Sequence, residues 1–315
     1  MSEEQANLLF VDDEQQILVS LRALFRSKYN VYTADGGANA LDIIRTKHIH
    51  TVVSDQRMPK MTGHELLREI KKISPSTMRI LLTGYSDMDA VIKSVNDGEV
   101  FRFISKPWNN DELRTTVDNA VQIALETGDD AADLHDQVLE DKSPVGSGDG
   151  ILVINDTPDI AEQVQRLCQE QHLTYDTRNI DEALEILAHE EIAVIITDVT
   201  VAGEDTTEFV KLLKQQYPMM MTIVLTSEMD AQTAVSLINQ ARIFRYLTKP
   251  IGDGMLRPII ANGMHSYRAN KERPNLLQRQ TVESIEAVQN PSLASKIMGR
   301  LKTLRTRFRF SRQAS

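Results

Sequence analysis

A set of polar residues recurs along this chain at one fixed offset of 143 positions. Asp13 returns as Asp156, Asp55 as Asp198, Thr83 as Thr226, Lys106 as Lys249 and Pro107 as Pro250. Phe103 returns as Tyr246, and Asp12 as Asn155. The surrounding text agrees: "LLFVDDEQQI" with "ILVINDTPDI", "TVVSDQ" with "VIITDV", "FRFISKP" with "FRYLTKP". Separated polar residues that hold register over about a hundred positions mean two copies of one domain. A length of 315 residues accommodates two domains, each with its own core.

Each copy alternates short apolar, β-rich runs with longer amphipathic stretches. In the first copy "NLLFV", "NVYTA", "TVVSD", "MRILLTG" and "FRFIS" read as strands. Between them, Ile17, Leu18, Leu21, Leu24 and Phe25 fall at helical spacing, as do Ala40, Leu41 and Ile44, and Leu66, Leu67 and Ile70. "DMDAVIKSVNDG" predicts a fourth, short helix with a glycine stop. A last helix is expected from a cap at Asn110 or Asp111 through about Glu126. Strict strand–helix alternation implies right-handed crossovers and a parallel sheet covered on both faces. The fold class is therefore α/β: two doubly wound, five-stranded parallel-sheet domains in tandem. The expected division is residues 1–126, an acidic linker or exposed extension of the preceding helix over 127–149 with seven acids, a second domain over 150–270, and a tail over 271–315.

In such sheets sites form at the carboxyl ends of the strands. Asp12 and Asp13 follow the first strand, Asp55 ends the third, Thr83 the fourth and Lys106 the fifth. The sequence thus predicts that these residues converge on one rim. Carboxylates gathered there repel one another and favour a hard divalent cation; Mg²⁺ takes oxygen ligands. Such a cation neutralises charge and lets an Asp carboxylate attack a phosphoryl group. A lysine adds a fixed positive charge and a threonine hydroxyl can bond a phosphoryl oxygen.

On these residues, residues 1–126 resemble a receiver domain of bacterial two-component response regulators, a flavodoxin-like fold. The acidic pair, "VVSDQRMPKMTG", "LLTG" and "FISKPW" carry the resemblance. It implies that Asp55 accepts phosphate from a sensor histidine kinase or histidine phosphotransfer protein. It implies Mg²⁺ on Asp13, Asp55 and the Arg57 backbone carbonyl, with Asp12 acting through water. Lys106 would contact the phosphoryl group and Lys106–Pro107 would be cis. Thr83 would move toward the phosphate, and Phe103 would be the rotating switch aromatic. Such a protein catalyses only its own phosphorylation and dephosphorylation.

Residues 150–270 resemble the same family less closely. Asp198 is a second candidate acceptor, with Thr226 and Lys249 as its companions, Asp156 and Asp198 as metal residues and Tyr246 as switch. Asn155 removes one acid, and "RMPKMTG" becomes "TVAGEDT", losing the Met-Pro and the glycine at that register. Both changes weaken the expected Mg²⁺ site and leave a constitutive interaction module as the rival reading.

Other positions carry a bland reading. Arg57, Tyr85, Thr200 and Glu228 flank the acceptor or the threonine; they are candidates for tuning dephosphorylation, but exposed positions are the commoner explanation. The seven histidines show no metal-ligand or phosphotransfer spacing. Phe101 and Phe244 are expected in the core.

The net charge of −10 is unevenly spread, since residues 271–315 hold ten Lys or Arg against three Glu. Within that tail Leu293, Ile297, Leu301, Leu304 and Phe308 form an apolar stripe, interrupted in propensity by Gly299. One cysteine, Cys168, excludes an internal disulfide framework. No apolar run reaches the ~18–20 residues of a membrane helix, and the start lacks a secretory pattern. A cytoplasmic location is expected. The expected function is a response regulator that signals by phosphorylation-dependent contact with a downstream protein or as a homodimer. The alternatives are nucleic-acid binding through the basic tail, or a phosphate sink or relay.

Overall fold

The computed structural model describes residues 5–84, 100–135, 149–168, 171–227 and 230–280, together with Ile92, Asn96 and Gly299. The chain divides into two compact units, Met1–Val138 and Leu139–Ser315.

The first unit is built on five parallel strands: β1 (Asn7–Val11), β2 (Asn30–Ala34), β3 (Thr51–Asp55), β4 (Met78–Thr83) and β5 (Arg102–Ser105). Their order across the sheet is β2-β1-β3-β4-β5. The first three coincide with the apolar runs read from the sequence. Residues 8–11 of β1 and all of β3 are buried, as strands covered on both faces must be. Helices α1 (Gln15–Phe25), α2 (Gly37–Thr46), α3 (Gly63–Ile73) and α4 (Asn110–His135) cross between or follow them. Leu18, Leu21 and Phe25 of α1 and Leu113, Val117 and Val121 of α4 fill one core with Phe10 and Ile80. The expected fourth helix falls mostly outside the described residues; Ile92 and Asn96 within it are helical.

Helix α4 differs from expectation at both ends. Its cap is Asn109, whose Oδ1 accepts from the amides of Asp111 (2.7 Å) and Glu112 (3.4 Å). Its far end runs on past Glu126 to His135, the helix-extension alternative for the acidic stretch. Residues 127–135, "TGDDAADLH", hold two alanines and a leucine and no proline, and the helix continues through Gly128 at a cost of about 1 kcal/mol. Residues 136–148, the remainder of the expected linker, lie outside the described residues.

The second unit repeats the plan. Strands β6 (Gly150–Ile154), β7 (Thr174–Thr177), β8 (Ile192–Asp198), β11 (Met221–Thr226) and β12 (Arg245–Thr248) form a parallel sheet in the order β12-β11-β8-β6-β7. Helices α5 (Pro158–Cys168), α6 (Ile180–His189), α7 (Thr207–Gln216), α8 (Ala231–Ala241) and α9 (Asp253–Glu272) accompany it. One addition has no counterpart in the first unit. Thr200–Val201 (β9) and Glu204–Asp205 (β10) pair antiparallel around Ala202 and Gly203. After α9 a 3-10 helix, Pro274–Gln280, lies against the unit, with Leu276 buried and the Arg242 guanidinium donating to the Arg279 carbonyl at 2.6 Å. The rest of the basic tail, including the predicted apolar stripe from Leu293 to Phe308, lies outside the described residues.

Phe101 is buried and Phe244 packs partly buried against the second core, as expected. Cys168 is buried, and burial pushes its thiol up to about 11. Among the described residues no helix is long and apolar enough to cross a membrane.

Candidate functional site

The rim of the first sheet is assembled by strand ends. Backbone bonds run from Gln56 N to Leu82 O (3.0 Å) and from Lys106 N to Thr83 O (2.8 Å), holding β3, β4 and β5 in register up to their last residues. This places Asp55, Thr83 and Lys106 side by side, and β1 delivers Asp12 beside them.

Lys106 is the hub. Its Nζ lies 2.6 Å from Asp55 Oδ1 and 3.3 Å from Asp12 Oδ2. The other Asp55 oxygen accepts from the Arg57 amide at 2.9 Å. Asp12 Oδ1 accepts from the Glu14 amide at 2.9 Å. Asp12 is almost fully buried, and that burial raises its carboxyl above the ordinary carboxylate range, only partly offset by the Glu14 amide and Lys106. Burial pulls the Lys106 ammonium down, but the hydrogen bond and charge of Asp55 outweigh it and the net direction is up. Asp13 is exposed beside this pair.

Two buried carboxylates thus face one ammonium, with a third carboxylate at the mouth. Oxygen donors in excess of the local positive charge suit a hard divalent cation. Among the described residues no three acidic, imidazole or thiol side chains already converge on one point. A Mg²⁺ ion held here would rest on one or two of these carboxylates supplemented by other oxygens.

Thr83 is buried, its hydroxyl 3.3 Å from the Gly84 carbonyl. Phe103 is buried at 2 % exposure, turned inward. Lys106–Pro107 and Lys249–Pro250 are both cis. Trp108, the single tryptophan of the chain, has its ring centroid 5.8 Å from Lys106 Nζ.

The glycine of "MTG", whose loss marked the second copy in the sequence, is Gly63, and the structure shows what it does. A Cβ on Gly63 would stand 2.7 Å from Leu81 Cδ1 and inside contact distance of the Asp55 carbonyl oxygen. Only glycine lets the start of α3 close on the acceptor strand. Thr62 and Glu65 form a capping box at the same place.

The second rim brings together the equivalent residues with different bonding. Lys249 Nζ lies 2.5 Å from Asp198 Oδ2, and Asp198 Oδ1 accepts from the Val199 amide at 2.7 Å. Asn155 Oδ1 accepts from the Thr157 amide at 3.0 Å, reproducing the Asp12 turn, while its buried Nδ2 has no hydrogen-bond partner. Asp156 Oδ1 accepts from the Ala202 amide at 2.6 Å. Thr206, which stands where Gly63 does, donates its hydroxyl to the Asp198 carbonyl at 2.5 Å. Tyr246 is buried; its phenol shares hydrogen bonds with the Thr226 side chain and the Asp230 backbone, and burial raises it. The Lys249–Asp198 pair matches Lys106–Asp55, but an amide nitrogen in place of an Asp12 oxygen and an Asp156 bonded to a loop do not fit a divalent cation as the first rim does.

Of the flanking positions, Arg57 and Thr200 are exposed, while Tyr85 and Glu228 lie outside the described residues. His48 and His50 stack edge to face, and His50 Nδ1 accepts from the Asn7 amide, a structural use.

The sequence profile of the response regulator receiver domain matches residues 8–118 and again 151–261, together more than half of the chain. The chain belongs to this family. It is a tandem receiver of two-component signalling, and the resemblance inferred from the repeated residues holds for both copies. Among curated proteins it is similar to the hydrogenase transcriptional regulatory protein HoxA of Cupriavidus necator, at 35% identity over 41% of this chain and 27% of the relative. It is also similar to the transcriptional regulatory protein GlrR of Escherichia coli, at 35% identity over 39% of this chain and 28% of that one. The DNA-binding transcriptional regulator NtrC of Klebsiella pneumoniae is 37% identical over 35% of this chain and 24% of its own. The tandem receiver thus spans about a quarter of the length of these relatives. A response regulator receiver domain protein from Clostridium thermocellum aligns with a TM-score of 0.35 and 34% identity, over 37% of this chain and 94% of that one.

Proposed function

We propose that Asp55 accepts a phosphoryl group from a sensor histidine kinase or histidine phosphotransfer protein, and that the chain signals through the state of its first receiver. The observation that carries this is the Asp55–Lys106–Asp12 arrangement at the ends of β3, β5 and β1. An Asp55 oxygen attacks phosphorus while the bond from phosphorus to the donor's leaving group breaks, giving an acyl phosphate on Asp55. Lys106, already within 2.6 Å of that carboxylate, is placed to hold the charge transferred onto it. Mg²⁺, when bound by Asp13, Asp55 and the Arg57 carbonyl, supplies charge neutralisation between the two anions. The Thr83 hydroxyl turns from Gly84 toward the new oxygens, and Phe103 rearranges in the space this leaves. The output is a change in contact with a downstream protein or a second copy.

Trp108 gives a direct test, because it stands beside Lys106 and is the chain's one tryptophan. Adding Mg²⁺ and then a small phosphodonor should change its emission in two steps. Asp55→Asn should abolish the second step. An identical second step in Asp55→Asn would exclude Asp55 as the acceptor.

A role in transcription is favoured by one further observation. The relatives carry that function in their names, and the tail has seven basic residues and no acidic one from Lys296 onward. Nucleic-acid binding by the full chain that falls steeply with salt and disappears on removing residues 290–315 would support it.

A further inference from the structure

We infer that Asp156, the second receiver's counterpart of the cation-ligating Asp13, works as a latch on the β9–β10 hairpin, and that the second receiver is a cation-independent copy. The inference rests on the proposed function only in taking the first receiver as the responsive one.

Three linked differences support it. The first is the donor. Ala202 stands where the first receiver has Pro59, by the same offset of 143. Proline has no amide to offer, so in the first receiver an acid at Asp13 has no such bond to make at that position. Ala202 has one, and Asp156 Oδ1 takes it at 2.6 Å. The second is the turn. Ala202 and Gly203 both have positive φ, 53° and 77°, the geometry of a two-residue hairpin loop. A residue with a Cβ adopts that region at a cost, and the charged acceptor on its amide offsets it. The third is the remaining donor set. Asn155 presents an Nδ2 group, buried and without a partner, where Asp12 has an oxygen. The Asp198 oxygens are held by Lys249 and the Val199 amide just as those of Asp55 are held by Lys106 and the Arg57 amide, so the difference lies in Asn155 and Asp156. A divalent cation would meet an N–H donor where Asp12 has an oxygen, and a carboxylate already holding a loop where Asp13 is exposed.

The hairpin also explains the loss of the glycine. Thr206 holds the N-cap position of α7, whereas its counterpart Gly63 is the first residue of α3. Its hydroxyl, bonded to the carbonyls of Asp198 and Val199, closes the base of the hairpin. Latch and clasp together fix the loop that in the first receiver carries the Arg57 carbonyl.

The test is amide hydrogen exchange at Ala202 and across residues 195–206, in the full chain, as wild type, Asp156→Ala and Asp156→Asn. Without cation, Asp156→Ala should speed exchange at Ala202 by about 10-fold or more, the factor that a lost charge-assisted hydrogen bond represents. Asp156→Asn keeps the oxygen acceptor and should restore most of the protection, which a ligand role would not require. In wild type, Mg²⁺ at concentrations that alter exchange over residues 52–62 should leave residues 195–206 unchanged. Unchanged exchange at Ala202 in Asp156→Ala would overturn the latch. A Mg²⁺ response over 195–206 in wild type would overturn cation independence. Silence at residues 52–62 with faster exchange in Asp156→Ala would count against the proposed function of the first receiver and support the latch.

Discussion

Gly63 lies so close to Asp55 that a Cβ on it would overlap the Asp55 carbonyl oxygen, so the first residue of α3 can only be one without a side chain. The capping box of Thr62 and Glu65 starts the helix at that contact, with the Thr62 amide donating to Glu65 Oε2 at 2.9 Å. The geometry of the acceptor is thereby set by a residue that has no side chain.

Gly63→Ala should therefore be costly although the new methyl group is small. It would drive into a backbone carbonyl and the Leu81 side chain, neither of which is a flexible tip. Chemical denaturation should show a loss of about 1–3 kcal/mol, the range for forced overpacking. Phosphorylation of Asp55 should slow as well. A stability within about 0.5 kcal/mol of wild type would mean that α3 shifts freely.

Tyr246 and Phe103 occupy equivalent inward positions, but only the tyrosine has a hydroxyl, and it is bonded to Thr226 and to the Asp230 backbone. Tyr246→Phe should cost the second receiver about 1 kcal/mol, the ordinary net worth of a buried hydrogen bond. Unfolding of the variant monitored by hydrogen exchange over the second receiver measures this. A gain in stability would show that the phenol is held at a loss.

Lys214 is fully buried in α7, its Nζ donating to the Met220 carbonyl at 2.9 Å. Burial, with Arg242 adding to it, pushes its pKa down to about 7. The unfolded chain binds that proton up to about pH 10.4, so between about pH 7 and 10 the unfolded state carries more protons than the folded one. Stability then rises with pH through that window. Lys214→Met should remove this contribution. Its melting temperature relative to wild type should be higher at pH 7 than at pH 9.5. A pH-independent difference would show that the ammonium is charged within the fold.

The sheet and the first rim were legible in the sequence because both depend on local text. Apolar runs ended by Asp or Thr gave β1, β2 and β3 at their observed bounds, and the strand ends then delivered Asp12, Asp55, Thr83 and Lys106 to one place. The end of α4 was legible only as one of two alternatives, since an acidic stretch that reads as solvent-exposed linker is also compatible with an exposed helix. The cap at Asn109 was missed by one residue because three capping types stand in a row, Asn109, Asn110 and Asp111. The β9–β10 hairpin was noticed only as a departure from the first copy. Its signal was the Ala202-Gly203 pair, but the bond that stabilises it comes from Asp156, 46 residues away, and no local pattern reports such a bond.

The account stands most directly on the intact mass of the full chain after incubation with a small phosphodonor and Mg²⁺, compared with Asp55→Ala and Asp198→Ala. One added phosphate, lost in Asp55→Ala and retained in Asp198→Ala, is the predicted result. A phosphate that survives Asp55→Ala and disappears in Asp198→Ala would contradict it.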